Sequence, residues 1–333
     1  MNNSKGRILV TGGAGYVGSA LVPKLLDSGY SVTVLDLYLY GDTVFSDYHR
    51  DPKLTEVKGD LRDNVVIEQA LLGCDAVIHL ACISNDPSYD LNPDLARSIN
   101  FSAFRPLVKA SKRAGVRRFI YASSSSVYGI KKEQEVTEAL SLEPLTDYSK
   151  YKALCEEILE EEREAGFCTV TIRPSTVCGY APRLRLDLIV NILTNHAVNN
   201  KKITVFGGSQ MRPNLHIKDM VSLYLHLLEL PSDTINGRVY NAGYENLSVM
   251  HIAELVRDVL LMDIEIDVSH TDDNRSYHVS SALMKKELGF FPTHTVEDAV
   301  RDLKTAFDSG KVPNPMQDSI YYNIRRMQQI ELS

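Results

Sequence analysis

The stretch RILVTGGAGYVG, from Arg7 to Gly18, decides how the first half of the chain folds. A short apolar run is followed by glycines at positions 12, 15 and 18, and an amphipathic segment then continues to Gly29. This order predicts a strand, a tight turn and a helix. In such a turn one glycine permits the bend, one lets backbone N–H groups approach a pyrophosphate, and one allows the helix to pack closely on the strand.

A second apolar run, at residues 31–35, ends in Asp36, which lies 18 positions after Gly18. An acidic side chain at this distance accepts hydrogen bonds from an adenosine ribose and repels a 2′-phosphate. The partial positive charge of the helix N-terminus adds to the anion site. Together these features predict a dinucleotide site and favour NAD over NADP.

Composition and charge restrict the classes of protein to which the chain can belong. Its 333 residues are 44% hydrophobic and 24% charged, which is ordinary for a soluble globular protein, and its net charge is −7. The negative charge and the lack of a basic cluster argue against nucleic acid as a partner. No apolar run has the ~18 residues that a membrane span needs. The five cysteines show no metal-binding spacing, and with the lack of a signal sequence they predict a cytoplasmic protein without bound metal.

Strand and helix patterns alternate through the first half of the chain. Further strands are predicted near residues 54–58, 76–80, 116–122 and 168–172, with helices at about 64–72, 93–114 and 148–164. Continuous apolar strands separated by helices indicate a parallel sheet covered on both faces. We therefore predict an α/β fold with a Rossmann-type doubly wound parallel sheet.

The second half has shorter strand-like pieces between its helices, which indicates a smaller mixed lobe. We predict a Rossmann domain over residues 1–178 and a substrate-binding C-terminal lobe over residues 179–333, with the chain crossing between them near 215–245. Ser248 and Thr295 are predicted N-caps of late helices. Ligands of such folds bind at the carboxyl ends of the strands, so a cleft between the two parts is the expected site.

Two stretches carry residue types that suit catalysis. The serine-rich stretch SSSSVYG, residues 123–129, directly follows a predicted strand and so lies at the carboxyl edge of the sheet. Tyr148 and Lys152 stand at i and i+4 of a predicted helix, on one face. A lysine ammonium beside a phenol lowers the phenol pKa from about 10 towards neutrality, which would make Tyr148 a general base. Such a pair alone is an ordinary helix-surface pair, and the upstream dinucleotide motif is what favours catalysis.

These motifs resemble those of extended short-chain dehydrogenase/reductases (SDRs) of the NAD-dependent sugar-nucleotide epimerase/dehydratase group. The resemblance is carried by the glycine motif, Asp36, Gly59–Asp63, His79–Ala81, Asn100, the serine-rich stretch, and Tyr148 with Lys152. It implies an NAD-dependent enzyme that acts on a nucleotide sugar. It also implies a homodimer formed through the helices near 93–114 and 148–164.

The resemblance further assigns roles to individual residues. Tyr148, Lys152 and Ser124 would be catalytic, with Lys152 also on the nicotinamide ribose and Ser124 at the reacting hydroxyl. The residues expected to contact NAD are Gly12, Gly15, Tyr16, Val17, Asp36, Asp60, Leu61, Leu80, Ala81, Asn100, Ser123, Tyr148, Lys152 and Pro174. The residues expected to contact the substrate are Ser125, Thr176, Arg183, Arg212 and Arg275.

Within these sets, Asp60 and Leu61 would hold the adenine, and Arg212 and Arg275 would bind the substrate diphosphate. A guanidinium fork suits two phosphate oxygens, although solvated surface arginines are the alternative explanation for both.

Departures from the family pattern restrict the reaction. Relatives that eliminate water carry an Asp-Glu pair, and relatives that decarboxylate carry a Glu, where this chain has Ser125 and Ser126. A serine hydroxyl serves poorly as an acid or a base at neutral pH, which argues against 4,6-dehydration and decarboxylation. Thr176 replaces a common Asn. Asp86 is a candidate for sugar contact, although a loop turn before Pro87 is the preferred explanation.

Three functional hypotheses follow. The preferred one is a nucleotide-sugar 4-epimerase, in which Tyr148 takes the C4 hydroxyl proton and the 4-keto sugar is reduced on its other face. A 4-dehydrogenase or 4-ketoreductase with net redox change is the alternative, and Ser125 and Ser126 do not separate the two. A non-catalytic NAD-binding protein on the same fold is remote, since it has no need of Tyr148, Lys152 and Ser124.

Overall fold

Strands form where apolar residues run continuously, and helices lie between them. The computed structural model describes residues 5–84, 86–271 and 278–330. Its strands are β1 (Arg7–Thr11), β2 (Ser31–Asp36), β3 (Leu54–Lys58), β4 (Ala76–His79), β5 (Arg118–Ala122), β6 (Cys168–Pro174), β7 (Thr176–Cys178), β8 (Lys202–Phe206), β9 (Met211–His216), β10 (Arg238–Ala242), β11 (Glu245–Ser248) and β12 (Glu265–Ser269). Its α-helices are α1 (Tyr16–Asp27), α2 (Asn64–Ala70), α3 (Asp86–Asp90), α4 (Pro93–Arg97), α5 (Phe104–Arg113), α6 (Asp147–Glu161), α7 (Ile189–Asn200), α8 (Ile217–Glu229), α9 (Ser232–Ile235), α10 (Val249–Leu260), α11 (Ala282–Leu288), α12 (Val296–Asp308) and α13 (Asn323–Ile330).

A seven-stranded parallel sheet is the centre of the fold, with strand order β3-β2-β1-β4-β5-β6-β10. Side chains alternate between its two faces. Val10 belongs to one apolar core together with Leu21 of α1, whereas its neighbour Leu9 belongs to the other core with Phe104 and Leu107 of α5. Both faces are thus covered, and the predicted doubly wound Rossmann-type fold is confirmed.

The second half of the chain builds two small sheets and one more apolar core. Strands β7, β9 and β11 form one sheet, and β8 pairs with β12. Helices α7, α10 and α12 enclose the core, which includes Leu193, Val256 and Val300. The hydroxyls of Ser248 and Thr295 cap α10 and α12, so both predicted N-caps are confirmed.

Strand β10 crosses back to the large sheet and pairs with β6 at its edge. The two halves of the chain are therefore interleaved, and a domain boundary at residue 178 stays a prediction. Among the described helices, none combines the length and apolar character that crossing a bilayer requires.

The single helix predicted over residues 93–114 is wrong, because the structure interrupts it. Helix α4 ends at Arg97, residues 98–102 form a π-helical turn, and α5 begins at Phe104. The turn contains Asn100, whose Oδ1 accepts the Ile83 N–H (2.8 Å) while its Nδ2 donates to the Ile83 carbonyl (2.9 Å). A π turn of this kind is common at functional sites, and here it fixes the segment that follows β4.

Candidate active site

A cavity of about 560 Å³ lies at the carboxyl ends of the central strands and is lined by residues from both halves of the chain. Most residues predicted for the site are in its wall, namely Gly12, Gly15, Tyr16, Val17, Asp36, Leu61, Leu80, Ala81, Ser123, Ser124, Ser125, Tyr148, Lys152, Pro174, Thr176, Arg183 and Arg212. Their individual roles stay predictions, but the structure brings them together.

The glycine turn between β1 and α1 has the shape of an anion cradle. Gly12 has a φ of +71°, and a Cβ on it would lie 2.6 Å from the Ala81 backbone. A Cβ on Gly18 would overlap the Gly13 backbone, so only glycine lets α1 approach the turn this closely. No side chain caps the N-terminus of α1, and its first backbone N–H groups are available to an anion. These residues fit the diphosphate of a dinucleotide.

Asp36 ends β2 at the same edge of the sheet. Its Oδ2 accepts the Ala14 N–H (2.9 Å) and its Oδ1 accepts the Tyr38 N–H (2.8 Å). Burial raises the pKa of this carboxyl, and the two backbone N–H groups oppose the shift. Each oxygen keeps a lone pair that can accept a ribose hydroxyl. The geometry is compatible with the predicted preference for NAD.

The three predicted catalytic residues come from two neighbouring elements, the turn after β5 and the first turns of α6. Ser124 Oγ accepts the Ser126 N–H (3.1 Å) and lies 2.8 Å from Ser126 Oγ. Lys152 Nζ donates to the Ala122 carbonyl (2.7 Å) and lies 6.0 Å from the centre of the Tyr148 ring. A phenol, an ammonium and two serine hydroxyls therefore share one wall of the cavity.

The protonation of Tyr148 differs from the expectation. Burial raises the pKa of its hydroxyl above the ordinary value, while the charge of Arg185 and a hydrogen bond with Ser124 act in the opposite direction. This direction is opposite to the expected lowering, and the Lys152 ammonium donates to the Ala122 carbonyl.

A buried ion-pair network that sequence analysis did not identify lies beside Ser123. Arg173 donates from Nη2 to Glu156 Oε2 (2.6 Å), from Nε to Glu156 Oε1 (3.0 Å), and from Nη1 to the Tyr128 hydroxyl (2.7 Å). The Ser123 hydroxyl donates to the same carboxylate. Burial alone would lower the pKa of Arg173, but Glu156 holds it above its ordinary value. The network ties α6 to β6 and to the turn after β5. Glu156 is 17 positions from Arg173 and 33 from Ser123, so no local spacing in the sequence signalled it.

Three predicted residues are not in the described wall of the cavity. Asp60 pairs with Arg62 (2.6 Å), and Asn100 holds the segment after β4 as described above. Arg275 lies outside the described residues. The hydrogen bonds of Asp60 and Asn100 are explained by neighbouring protein groups, so their contact with NAD stays a prediction.

Among the polar residues of the wall that were not predicted site residues, four form hydrogen bonds with one another or with Arg183, namely Ser84, Arg185, Asp187 and Asn323. Arg185 donates from Nε to Asp187 Oδ1 (2.9 Å) and from Nη1 to Ser84 Oγ (3.0 Å). Arg183 Nη2 donates to Asn323 Oδ1 (2.6 Å), which is 140 positions away in the chain. The alternation of charged and apolar residues from Arg183 to Asp187 indicated one polar face, whereas no sequence signal placed Asn323 here.

The whole arrangement suits proton transfer at a hydroxyl that lies next to a dinucleotide. The described residues include no group of three or more His, Cys, Asp or Glu side chains able to hold a metal ion.

Comparisons with known proteins agree with this chemistry. The model of the NAD dependent epimerase/dehydratase family matches residues 8–243. A UDP-glucose 4-epimerase from Lactobacillus helveticus is 28% identical over 328 residues, which cover 88% of this chain and 94% of the relative. A Bacillus subtilis (strain 168) protein described as the uncharacterized UDP-glucose epimerase YtcB is 32% identical over 266 residues, which cover 76% of this chain and 82% of the relative.

A solved structure of UDP-glucuronic acid 4-epimerase from Bacillus cereus, in complex with UDP-glucuronic acid and NAD, has a TM-score of 0.82 with this chain. It is 25% identical, and the match covers 91% of this chain and 99% of that one. The comparisons confirm the resemblance drawn from the sequence, the NAD cofactor and the fold.

Proposed function

The chain belongs to the NAD-dependent epimerase/dehydratase family, and we propose that it is a nucleotide-sugar 4-epimerase. The observation that carries the proposal is the combination of Tyr148, Lys152 and Ser124 in one cavity wall with Ser125 and Ser126 at the end of β5. The relatives described above are named as epimerases of UDP-linked sugars, which supports the same class of reaction here.

In the proposed reaction the Tyr148 oxygen takes the proton of the sugar C4 hydroxyl, and the Ser124 hydroxyl orients that group by a hydrogen bond. NAD supplies the acceptor and donor of a hydride at C4. The positive charge of Arg185 and the hydrogen bond with Ser124 favour the Tyr148 phenolate that takes this proton. The 4-keto sugar then turns its other face to the site, and Tyr148 returns the proton to the C4 oxygen.

The carboxylates in the described cavity wall support epimerisation over elimination, because each already has a partner. Asp36 accepts backbone N–H groups, Asp187 pairs with Arg185, and Asp86 accepts the Thr146 hydroxyl (2.6 Å). None of these carboxylates stands at the end of β5, where serines occur instead. A serine hydroxyl is too weak an acid and base to drive loss of water from the sugar.

We assign the substrate diphosphate to Arg212 and Arg275, and Arg183 to contact with the substrate. Arg212 of β9 is in the cavity wall, as is Arg183. Arg275 remains a candidate from the sequence alone. Thr176, which begins β7 in the same wall, is assigned to positioning of the sugar.

The test is a screen of UDP-, GDP- and dTDP-linked hexoses with the purified protein, with the products identified by NMR. A C4-inverted product without net NADH formation supports the proposal. Net NADH formation would instead indicate a 4-dehydrogenase, and a 4-keto-6-deoxy product would contradict the argument from Ser125 and Ser126.

Tyr148→Phe tests the role of the phenol within the same assay. We expect loss of turnover with NAD still bound, measured by the nucleotide released on heat denaturation. Tyr151→Phe is the matched control, because Tyr151 also lies on α6 but packs against Tyr89 and Phe101 outside the cavity. Equal activity of the two variants would remove Tyr148 from the mechanism.

We also propose that the protein is a cytoplasmic homodimer whose subunits meet through α5 and α6, as the family resemblance implies. Light scattering coupled to gel filtration measures the oligomeric state directly, and a monomer would contradict this part of the proposal.

A further inference from the structure

The C-terminal segment, defined as residues 319–330, contacts the cavity from the far end of the chain. The backbone N–H of Asn323 donates to Asp187 Oδ2 (3.0 Å), and the side-chain Nδ2 of Asn323 donates to Ser84 Oγ (2.9 Å) in the loop after β4. Arg326 Nε donates to the Leu39 carbonyl (2.5 Å) in the loop after β2. Asn323 itself is only 3% exposed. The segment thus joins the loops after β2 and β4 to the loop that carries Arg183 and Arg185.

Two buried guanidinium groups depend on this junction. We call Ser84, Arg183, Arg185, Asp187 and Asn323 the arginine cluster. Arg183 and Arg185 are 4% and 9% exposed, and both are in the cavity wall. Their orientations are fixed, since Asn323 accepts from Arg183 and Asp187 accepts from Arg185.

Each of these arginines nevertheless keeps one N–H group without an acceptor. Nε of Arg183 and Nη2 of Arg185 are buried and have no hydrogen-bond partner in the structure. Buried polar groups in native proteins are almost always paired, and an unpaired donor of a charged group is costly. A ligand in the cavity that carries hydrogen-bond acceptors would provide partners for both N–H groups.

The charge and position of the arginine cluster indicate which acceptor. It carries two positive groups against the single carboxylate of Asp187, so it favours an anion. On one side the backbone N–H of Arg183 donates to Ser19 Oγ of α1 (3.1 Å), close to the glycine turn. On the other side the charge of Arg185 acts on Tyr148. The arginine cluster thus lies between the glycine turn and Tyr148. Both ligands expected there, NAD and a nucleotide sugar, carry a diphosphate as their anionic group.

We propose that the C-terminal segment is part of the ligand-binding site, where Asn323 helps to hold Arg183 and Arg185 so that their free N–H groups donate to the oxygens of a bound diphosphate. This inference rests on the proposed function for one of the two possible ligands, the nucleotide sugar. NAD carries one diphosphate, and a nucleotide sugar carries the other. Guanidinium forks match phosphate oxygens in geometry as well as charge.

The experiment measures binding rather than turnover. ADP-ribose carries the cofactor diphosphate, and UDP, GDP and dTDP carry the substrate diphosphate; the dissociation constant of each is measured by calorimetry on the full chain. Asn323→Ala should weaken at least one probe about 10-fold, and Arg185→Gln about 10- to 100-fold, since hydrogen bonds to charged groups have this effect. Gln317→Ala, which removes an exposed amide just before the segment, should leave every dissociation constant within about twofold.

Asn323→Asp separates ligand binding from a purely structural role. The new carboxylate still accepts from Arg183 and should keep the fold, as checked by thermal denaturation. It also neutralises the charge that attracts phosphate, so the same probes should weaken about 10-fold. A structural role alone would leave their affinities unchanged, and that result would overturn the proposal.

The pattern of losses identifies the ligand. Weaker ADP-ribose alone supports the proposal with the cofactor diphosphate, and weaker nucleoside diphosphates alone support it with the substrate diphosphate. Unchanged binding of all probes by folded Asn323 and Arg185 variants overturns it. If no sugar nucleotide is epimerised, the proposed function fails, but the ADP-ribose result still decides this proposal.

Discussion

Replacement of Glu156 by alanine should destabilise the protein strongly, although this residue is not in the described wall of the candidate active site. Glu156 is 9% exposed and its partner Arg173 is 6% exposed. The carboxylate accepts two hydrogen bonds from Arg173 Nε and Nη2 and one from Ser123. Alanine would leave the Arg173 charge buried with only the Tyr128 hydroxyl as an acceptor.

The size of the effect follows from the burial of the pair. Removing one partner of a buried ion pair costs about 3–5 kcal/mol, because the other charge is left without compensation. Unfolding entropy is about 2.1 cal/mol/K per residue, so the 333 residues of this chain give about 0.7 kcal/mol/K. The expected fall in Tm is therefore about 4–7 °C.

Glu160→Ala is the matched control, because Glu160 lies one turn further along α6 and also pairs with an arginine. Its side chain is 62% exposed, and Arg163 approaches it to 2.6 Å at i,i+3. An exposed pair of this kind contributes about 0–1 kcal/mol, which corresponds to a fall in Tm of at most about 1.4 °C. Both variants are compared with the parent by scanning calorimetry at one NAD concentration.

A Tm for Glu156→Ala within 1 °C of that for Glu160→Ala would refute the reasoning, because burial would then make no difference. The double variant Glu156→Leu/Arg173→Met provides a second check. It removes both charges together and should recover much of the lost stability, since well-packed apolar residues often replace a buried pair at little cost.

Two other perturbations test the cofactor turn and the pH dependence of stability. Gly12→Ala should weaken NAD binding about 10-fold or more, as measured by calorimetry, because the new Cβ would overlap the Ala81 backbone. Gly29→Ala is the control, since Gly29 also has a positive φ but has open space around it, and this variant should bind NAD normally. Burial lowers the pKa of His79 to about 3 and that of His216 to about 4, so both stay neutral in the folded chain and protonate more readily when it unfolds. The free energy of unfolding should therefore fall as the pH drops below about 6.5, by up to about 1.4 kcal/mol per histidine per pH unit. Urea unfolding at pH 6.5 and 5.5 measures this fall, and His79→Gln should remove the part of it that is due to His79. A pH dependence that His79→Gln leaves intact would contradict this assignment.

The features that the sequence predicted well are those set by neighbouring residues. The glycine turn and Asp36 depend on a strand, a bend and a helix that follow one another, and continuous apolar strands mark a buried parallel sheet. The serine-rich stretch and Tyr148 fall at the sheet edge because their strand and helix positions place them there. Such signals need no knowledge of distant contacts.

The features that could not be predicted from the sequence depend on competition between groups that are distant in the chain. The spacing of Tyr148 and Lys152 gives one helix face, but it does not say whether the ammonium will bond to the phenol or to the carbonyl of Ala122. The π turn at residues 98–102 likewise depends on Asn100 finding the backbone of Ile83. Apolar periodicity continues through that turn, so it predicts one helix where tertiary hydrogen bonds produce two.

Asn323 shows why the polar residues of a cavity are harder to predict than its apolar core. An apolar residue needs only a buried position, which periodicity supplies, whereas a buried amide needs donors and acceptors at defined distances. Those partners are Ser84, Arg183 and Asp187, which lie in two loops far from Asn323 in the chain. The residues that orient the two buried arginines are thus specified only once both halves of the chain have folded together. A site assembled in this way is complete only when the end of the chain is in place, which makes the C-terminal segment the most informative place to perturb it.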